Sequence, residues 1–298
     1  RRCDTPRPRP LLEPVTTALG IDPFDGLQIC DATILARKHH PNLDPDVAAL
    51  VVQVYNRRLA SEVKMTLLNL YHEEQPIRLV RGAGTSAQEV RDLPLYALDR
   101  RDDLDHLSSV YIPPLPRPGS LATFGDVVAR LRAPGGCPWD REQTHQTLRT
   151  HLLEETYEVL AALDEDNMKK LEEELGDLLL QIFLHAQIAT EDGDFRLTDT
   201  VATINEKLIR RHPHVFGQTT VQDADEVLRN WEQIKREERG RQQAGDAFRS
   251  MLAGVSAALP ALSRAMELQR RAARVGFDWP NVEPVLEKVT EEAAEVVA

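Results

Sequence analysis

The stretch HLLEETYEVLAALDEDNMKKLEEELGDLLLQIFLHAQ, residues 151–187, decides the fold of this chain. Its apolar residues, with Leu148 just before it, recur at the three- and four-residue spacing of amphipathic helices. The segment between the two apolar stripes, residues 163–170, is polar and short, which predicts two antiparallel neighbouring helices. The first stripe contains Leu148, Leu152, Val159 and Leu163, and the second contains Leu171, Leu175, Leu178 and Ile182.

Each predicted helix also places carboxylates in or beside its apolar stripe. Glu155 and Glu158 lie three residues apart in the first helix, and Glu174 and Asp177 repeat that spacing in the second. Four carboxylates at the edge of an apolar face repel one another and lose solvation unless protons or cations neutralise them. The pattern therefore predicts that all four bind a divalent cation. Oxygen-only ligands favour Mg²⁺, or Mn²⁺, over zinc.

A solvated helix surface is the competing interpretation, because Glu is a good helix former and most Glu-rich runs are exposed. Glu172 and Glu173 are assigned to such a surface, and Glu154 fits it as well. An isolated EExxE pattern would favour this interpretation. The second carboxylate pair repeats the same placement of charge within an apolar stripe, and this repetition favours the metal site.

The EExxE pattern at residues 154–158, followed by ExxD at residues 174–177, resembles the signature of the MazG family of all-α nucleoside triphosphate pyrophosphohydrolases. The string GGCPWDxxQTH at residues 135–145 is similar to another hallmark of that family. The resemblance implies a mainly all-α protein with a MazG-like antiparallel helix bundle. It also implies Mg²⁺-dependent hydrolysis of a nucleoside triphosphate to the monophosphate and pyrophosphate, by a homodimer.

A second group of candidate residues is basic. Lys207, Arg210 and Arg211 recur at i, i+3 and i+4 and predict a cationic helix face. Such a face is usually only solvated, but beside metal-bound carboxylates it is predicted to bind the triphosphate, because guanidinium groups match phosphate oxygens. The family resemblance implies that Lys235 reaches a phosphate and that Trp231 lies near the nucleoside.

The sequence before the helices has a different pattern, in which strands and helices alternate over residues 11–112. Residues 49–55 predict a buried strand, residues 60–71 predict a helix, and residues 76–84 predict a strand that ends in a glycine turn. The block over residues 20–71 resembles the second half of a tetrapyrrole methylase domain. Because the glycine-rich first half is absent, this α/β segment is predicted to be incomplete.

Composition changes suggest the domain boundaries. Residues 1–10 are proline-rich and predicted to be a disordered or ragged end, and residues 113–120 form a proline-rich linker. The catalytic module is predicted over residues 121–239. Residues 240–298 are predicted to begin a second MazG-like module, truncated before any second ExxD, because Trp279 precedes a glutamate-rich helix as Trp139 does. The repeated EExxE consists of Glu291, Glu292 and Glu295.

Charge and cysteine usage limit the functional classes. The formal net charge of −12 argues against a general nucleic-acid binder and suits a protein that binds cations. Three scattered cysteines suggest neither disulfides nor zinc, and no apolar run reaches membrane-spanning length. A cytoplasmic enzyme that binds neither nucleic acid nor membranes is therefore predicted.

Two alternatives to a pyrophosphohydrolase remain from the sequence. One is an S-adenosylmethionine-dependent tetrapyrrole methyltransferase that carries the MazG-like part as a passenger, which the missing glycine-rich half argues against. The other is a nucleotide-binding regulatory module without turnover, which the full set of carboxylates and basic residues argues against.

Overall fold

The computed structural model describes residues 12–242, 252, 254–273 and 275–297. The predicted disordered end, residues 1–10, lies outside the described residues. The chain divides into two compact units, residues 1–200 and residues 201–298. In the first unit a small mixed sheet precedes a series of helices, and the second unit is helical in its described part. The predicted fold class, an α/β segment followed by a mainly α-helical part, is confirmed.

The α/β segment is built on one five-stranded sheet. Its strands are β1 (Leu27–Asp31), β2 (Ala48–Val52), β3 (Pro76–Arg81), β4 (Glu89–Pro94) and β5 (Ser109–Ile112). The spatial order is β1-β2-β5-β3-β4, with β1 parallel to β2 and every other neighbouring pair antiparallel. The helices of this segment are α1 (Leu12–Leu19), α2 (Ala32–Leu35) and α3 (Arg57–Leu67).

The three elements predicted here from sequence are present, with shifted ends. Strand β2 ends at Val52 because the chain turns at Gln53, whose φ of 62° is left-handed. Helix α3 begins earlier than its apolar pattern, because the side chain of Asn56 accepts a hydrogen bond from the backbone N–H of Leu59 at 2.8 Å and caps it. Strand β3 is followed by the predicted turn at Gly82, whose φ of 54° favours glycine.

Side chains of β2 alternate between the two faces of the sheet. Leu50 packs with Val15 of α1 on one face, whereas Val51 packs with Val63 of α3 on the other. Successive residues of a strand point to opposite faces, so a continuous apolar run fits a strand that is covered on both sides. The predicted buried strand is therefore an interior strand of the sheet, between β1 and β5.

The proline-rich linker ends in hydrogen bonds to the α/β segment. The Asp46 carboxylate accepts from the backbone N–H of Gly119 at 2.7 Å and from that of Ser120 at 3.1 Å. The hydroxyl of Ser120 accepts from the N–H of Thr123 at 2.9 Å, which caps the helix that follows. Hydrogen bonds from Thr123, Gly119 and Ser120 hold the pKa of Asp46 below its ordinary value. The ionised carboxylate thus fixes the start of the helical part.

Four helices complete the first unit. They are α4 (Leu121–Arg132), α5 (Pro138–Glu142), α6 (Leu148–Asp164) and α7 (Met168–Asp192). Helices α6 and α7 are the predicted antiparallel pair, joined by a turn in which Asp166 has a left-handed φ of 51°. Asn167 caps α7 by accepting a hydrogen bond from the N–H of Lys170 at 3.1 Å.

The core beside α7 differs from the predicted stripe. Phe183, Leu184 and Ile188 are buried with Val128 of α4 and Leu148 of α6. Of the predicted stripe positions, Leu163, Leu175 and Ile182 are 50%, 48% and 44% exposed. The buried face is displaced because α7 packs against α4 as well as against α6. Three of the eight predicted stripe residues are therefore exposed on this chain.

The remaining helices are α8 (Leu197–Arg211), α9 (Pro213–Phe216), α10 (Ala224–Gln242), α11 (Ala261–Ala273) and α12 (Glu283–Val297). The repeated EExxE of the predicted second module lies on α12, where Glu291, Glu292 and Glu295 are exposed. Across the described part of the chain, no helix combines the length and the apolar character needed to cross a membrane.

Candidate functional site

Three of the four predicted carboxylates converge between α6 and α7. Glu155, Glu158 and Glu174 each offer an oxygen, and these oxygens all lie within 4.8 Å of one another. Glu174 is buried, Glu155 is half-buried and Glu158 is exposed. The antiparallel pairing of the helices brings Glu174 opposite Glu155 and Glu158, although 16 or more residues separate it from them in the sequence.

The fourth carboxylate, Asp177, lies beside this cluster. It is exposed and is not among the three residues whose oxygens converge. Its charge nevertheless acts on Glu155 and on Glu174. Asp177 therefore contributes to the electrostatics of the cluster.

The carboxylates are poorly accommodated without a counter-charge. Burial raises the pKa of Glu155, and the negative charges of Asp177 and Glu158 raise it further. Burial likewise raises the pKa of Glu174, again assisted by Glu158 and Asp177. A group of carboxylate oxygens that repel one another at the edge of a core is the donor set that a hard divalent cation prefers. The residues present therefore fit Mg²⁺ or Mn²⁺.

Arg132, at the end of α4, fixes the loop that precedes α6. Its guanidinium donates to the backbone carbonyls of Asp140 and Gln143, the latter at 3.2 Å, and to the carboxylate of Glu191 on α7 at 2.8 Å. The hydrogen bond from Arg132 keeps the pKa of Glu191 below its ordinary value. The loop with the GGCPWDxxQTH string is thus attached to both α4 and α7.

A pair of histidines makes a second attachment of the same loop. The Nδ1 atoms of His145 and His185 lie 2.8 Å apart, and the two rings are parallel, with centroids 5.1 Å apart. At this separation one imidazole donates a hydrogen bond and the other accepts it. Burial, with a smaller effect of His145, lowers the pKa of His185. The sequence pattern did not predict this pair, because 40 residues separate its members.

The predicted basic residues lie in the second unit, and the carboxylates lie in the first. Trp231 of α10 contacts two cations: the Nζ of Lys235 is 3.6 Å from its ring centroid, and the guanidinium carbon of Arg211 is 5.7 Å away. Lys207 lies one helical turn before Arg211 on α8. The structure therefore groups Arg211, Trp231 and Lys235 within this unit.

Glu238 contacts two of the predicted basic residues, although the sequence pattern did not predict a role for it. It forms ion pairs with Arg210 at 2.7 Å and with Arg211 at 2.6 Å. Its position on α10, three residues after Lys235 and seven after Trp231, is the signal that could have indicated it, because such spacing places side chains on one helix face.

Comparison with known proteins agrees with the carboxylate pattern. The profile of the MazG nucleotide pyrophosphohydrolase domain matches residues 143–216, which include the four carboxylates and the basic residues of α8. An uncharacterized 26.1 kDa protein of Streptomyces cacaoi is 37% identical over 177 residues, which cover 59% of this chain and 69% of that protein. The chain belongs to the MazG family. The predicted relationship is therefore confirmed.

Two further relatives of this MazG-family chain extend the comparison. The uncharacterized protein YabN of Bacillus subtilis is 43% identical over 268 residues, which cover 87% of this chain and 52% of YabN. The nucleoside triphosphate pyrophosphohydrolase of Escherichia coli K12 is 49% identical over 172 residues, which cover 57% of this chain and 64% of that enzyme. The chain thus spans between about half and two thirds of the length of these two relatives.

Proposed function

We propose that this MazG-family chain hydrolyses nucleoside triphosphates to nucleoside monophosphate and pyrophosphate in a Mg²⁺-dependent reaction. The observation that carries the proposal is the convergence of Glu155, Glu158 and Glu174 within 4.8 Å. Burial and mutual repulsion destabilise the ionised carboxylates, and a bound divalent cation would relieve this. Such a cation can also bind phosphate oxygens. The name of the Escherichia coli relative supports nucleoside triphosphates as the substrate class.

In this proposal the carboxylates and the basic residues have separate roles. The cluster, with Asp177, would hold one or more Mg²⁺ or Mn²⁺ ions, which when bound supply positive charge and lower the pKa of water. Water adds to the α-phosphorus while the bond to the β-phosphate oxygen breaks, and pyrophosphate leaves. The basic side chains neutralise the triphosphate as this bond breaks, and Trp231 lies near the nucleoside. These basic residues are Lys207, Arg210, Arg211 and Lys235.

Product analysis with a panel of ribo- and deoxyribonucleoside triphosphates tests the reaction. We expect equal amounts of monophosphate and pyrophosphate with Mg²⁺, and neither product with a chelator. Release of inorganic phosphate and nucleoside diphosphate would contradict the proposed bond cleavage. Nucleotide binding without any turnover would instead favour the regulatory alternative.

We further propose a homo-oligomer, most simply a homodimer. Large apolar side chains on α6 and α7 are exposed in the single chain, and these helices carry the site. Burial of this surface against a second copy would remove it from water, which favours association. Light scattering is expected to give at least twice the mass of one chain, and an active monomer would contradict the proposal. The exposed residues include Leu153, Tyr157, Leu160, Leu175 and Ile182.

A cytoplasmic location is proposed from cysteine usage. Cys30 and Cys137 are free thiols within the described residues. Free thiols are typical of reducing compartments, in which disulfides are rare.

A further inference from the structure

Two consecutive arginines of α8 bind a single carboxylate of α10. The Nε of Arg210 donates to Oε1 of Glu238 at 2.7 Å, and the Nη2 and Nε of Arg211 donate to Oε2 at 2.6 and 3.1 Å. We call these three residues the Glu238 cluster. The side chains of Arg211 and Glu238 are 14% and 16% exposed, whereas that of Arg210 is 52% exposed.

The geometry of an α-helix does not bring the side chains of two consecutive arginines together. Consecutive helical residues point roughly 100° apart around the axis, so neighbours in sequence do not face each other. Two guanidinium groups also repel each other when they approach. The carboxylate of Glu238 supplies the attraction that draws Arg210 and Arg211 to the same point on this unit.

The two arginines keep Glu238 in its ionised form down to low pH. Hydrogen bonds from Arg211, and then from Arg210, lower the pKa of Glu238 to about 2. Two guanidinium groups and one ionised carboxylate together give these three residues a net charge of +1. Lys235 also lies nearby, since it and Arg211 contact the same Trp231 ring.

Donor atoms remain on both guanidinium groups after the contacts with Glu238. Those contacts use the Nε of Arg210 and the Nε and Nη2 of Arg211, and they do not use the Nη atoms of Arg210 or the Nη1 of Arg211. Guanidinium groups whose orientation is already fixed lose less freedom when they bind phosphate oxygens. A pair of them held together can contact one phosphate from two sides.

We propose that Glu238 is a positioning residue, which gathers Arg210 and Arg211 into one double-guanidinium site for a phosphate group of the nucleotide. This inference rests on the proposed function only in taking a nucleoside triphosphate as the ligand. Binding of an anion by the two arginines is testable with pyrophosphate alone, without a nucleotide. Glu238 acts through the arginines and does not itself touch the substrate.

The test compares the full chain with three variants: Glu238→Gln, Glu238→Asp and the control Glu237→Gln. Glu237 is the exposed neighbour of Glu238 on the same helix and accepts a hydrogen bond from Gln233 at 3.1 Å. Calorimetry measures binding of inorganic pyrophosphate in chelator, so that metal at the carboxylates makes no contribution. Steady-state kinetics with Mg²⁺ then separates KM from kcat.

We expect Glu238→Gln to weaken pyrophosphate binding and to raise KM by about tenfold, the scale on which outer residues that orient a site act. A smaller change in kcat is expected, because the arginines bind the phosphates in the ground state as well. Glu238→Asp keeps the charge and should recover part of the affinity, and Glu237→Gln should bind as the unmodified chain does. If Glu238 had a purely structural role, Glu238→Gln would lower the melting temperature. The folded variant would then keep an unchanged dissociation constant for pyrophosphate and an unchanged KM.

Tighter pyrophosphate binding by Glu238→Gln would overturn the inference, because Glu238 would then compete with phosphate. If Glu238→Gln leaves both pyrophosphate binding and KM unchanged, the inference is overturned as well, even if the variant keeps full turnover. Pyrophosphate binding that depends on Glu238 without any nucleotide hydrolysis would support the inference and remove the proposed function. Failure of the inference about Glu238 and failure of the proposed function therefore give different results.

A double-mutant cycle keeps the test decisive if Glu238→Gln does not fold. Arg210→Gln changes a half-exposed side chain, and it is combined with the milder Glu238→Asp. If Glu238 acts through Arg210, the combined loss of pyrophosphate affinity is smaller than the sum of the two single losses. Additive losses would overturn the inference.

Discussion

Glu174→Gln is expected to lower metal-dependent pyrophosphate release by at least about 100-fold, since loss of even an outer residue of a metal site costs 10–100-fold. The amide removes the negative charge that a hard cation requires. The same change is expected to raise the melting temperature of the metal-free protein. Burial and the nearby carboxylates raise the pKa of Glu174, so its ionised form destabilises the folded state above the ordinary glutamate pKa. Glutamine removes this repulsion.

Steady-state pyrophosphate release and thermal unfolding in chelator check both parts of this prediction. Glu172→Gln is the matched control, because Glu172 lies two residues earlier on α7 and is exposed. The control should keep its turnover and its melting temperature. An unchanged rate in Glu174→Gln would remove Glu174 from the mechanism, and a lower melting temperature in chelator would contradict the electrostatic argument.

Removal of divalent cations is expected to abolish turnover, and Mg²⁺ is expected to raise the melting temperature of the protein in the absence of nucleotide. A ligand that binds only the folded state stabilises it by about 2.7 kcal/mol at 100 times its dissociation constant.

Mg²⁺ affinity should fall as the pH decreases. The raised pKa values of Glu155 and Glu174 mean that protons compete with the metal at higher pH than for an ordinary glutamate.

Thermal unfolding with graded Mg²⁺, at about pH 8 and about pH 5, measures this effect without any assay of activity. The shift in melting temperature should be smaller at the lower pH and absent in Glu174→Gln. Full turnover in chelator, together with no Mg²⁺-dependent shift, would make the carboxylate cluster a structural feature. The proposed function would then lose its principal support.

The sequence by itself determined the elements and the carboxylate pairing. Apolar residues at the 3.6-residue period of a helix, together with the short polar turn, predicted α6 and α7. Asn167 caps α7, and asparagine is a residue that favours this position. The placement of Glu155 and Glu174 within the apolar stripes predicted that antiparallel helices bring these two glutamates together, which the structure shows for both of them and for Glu158. Alternating β2 side chains and the glycine turn after β3 were equally local in origin. Each of these features depends on residues that are close in sequence.

Only the tertiary structure decided which side chains meet across elements. His145 and His185 are 40 residues apart, and Arg211 and Glu238 are 27 residues apart, so their contacts depend on how whole helices pack. Periodicity specifies which face of a helix is apolar but not which partner covers it. For this reason Phe183 and Leu184 became the core beside α4, while Leu175 and Ile182 of the predicted stripe remained exposed. Burial and long-range electrostatics arise from that packing, which local sequence does not encode.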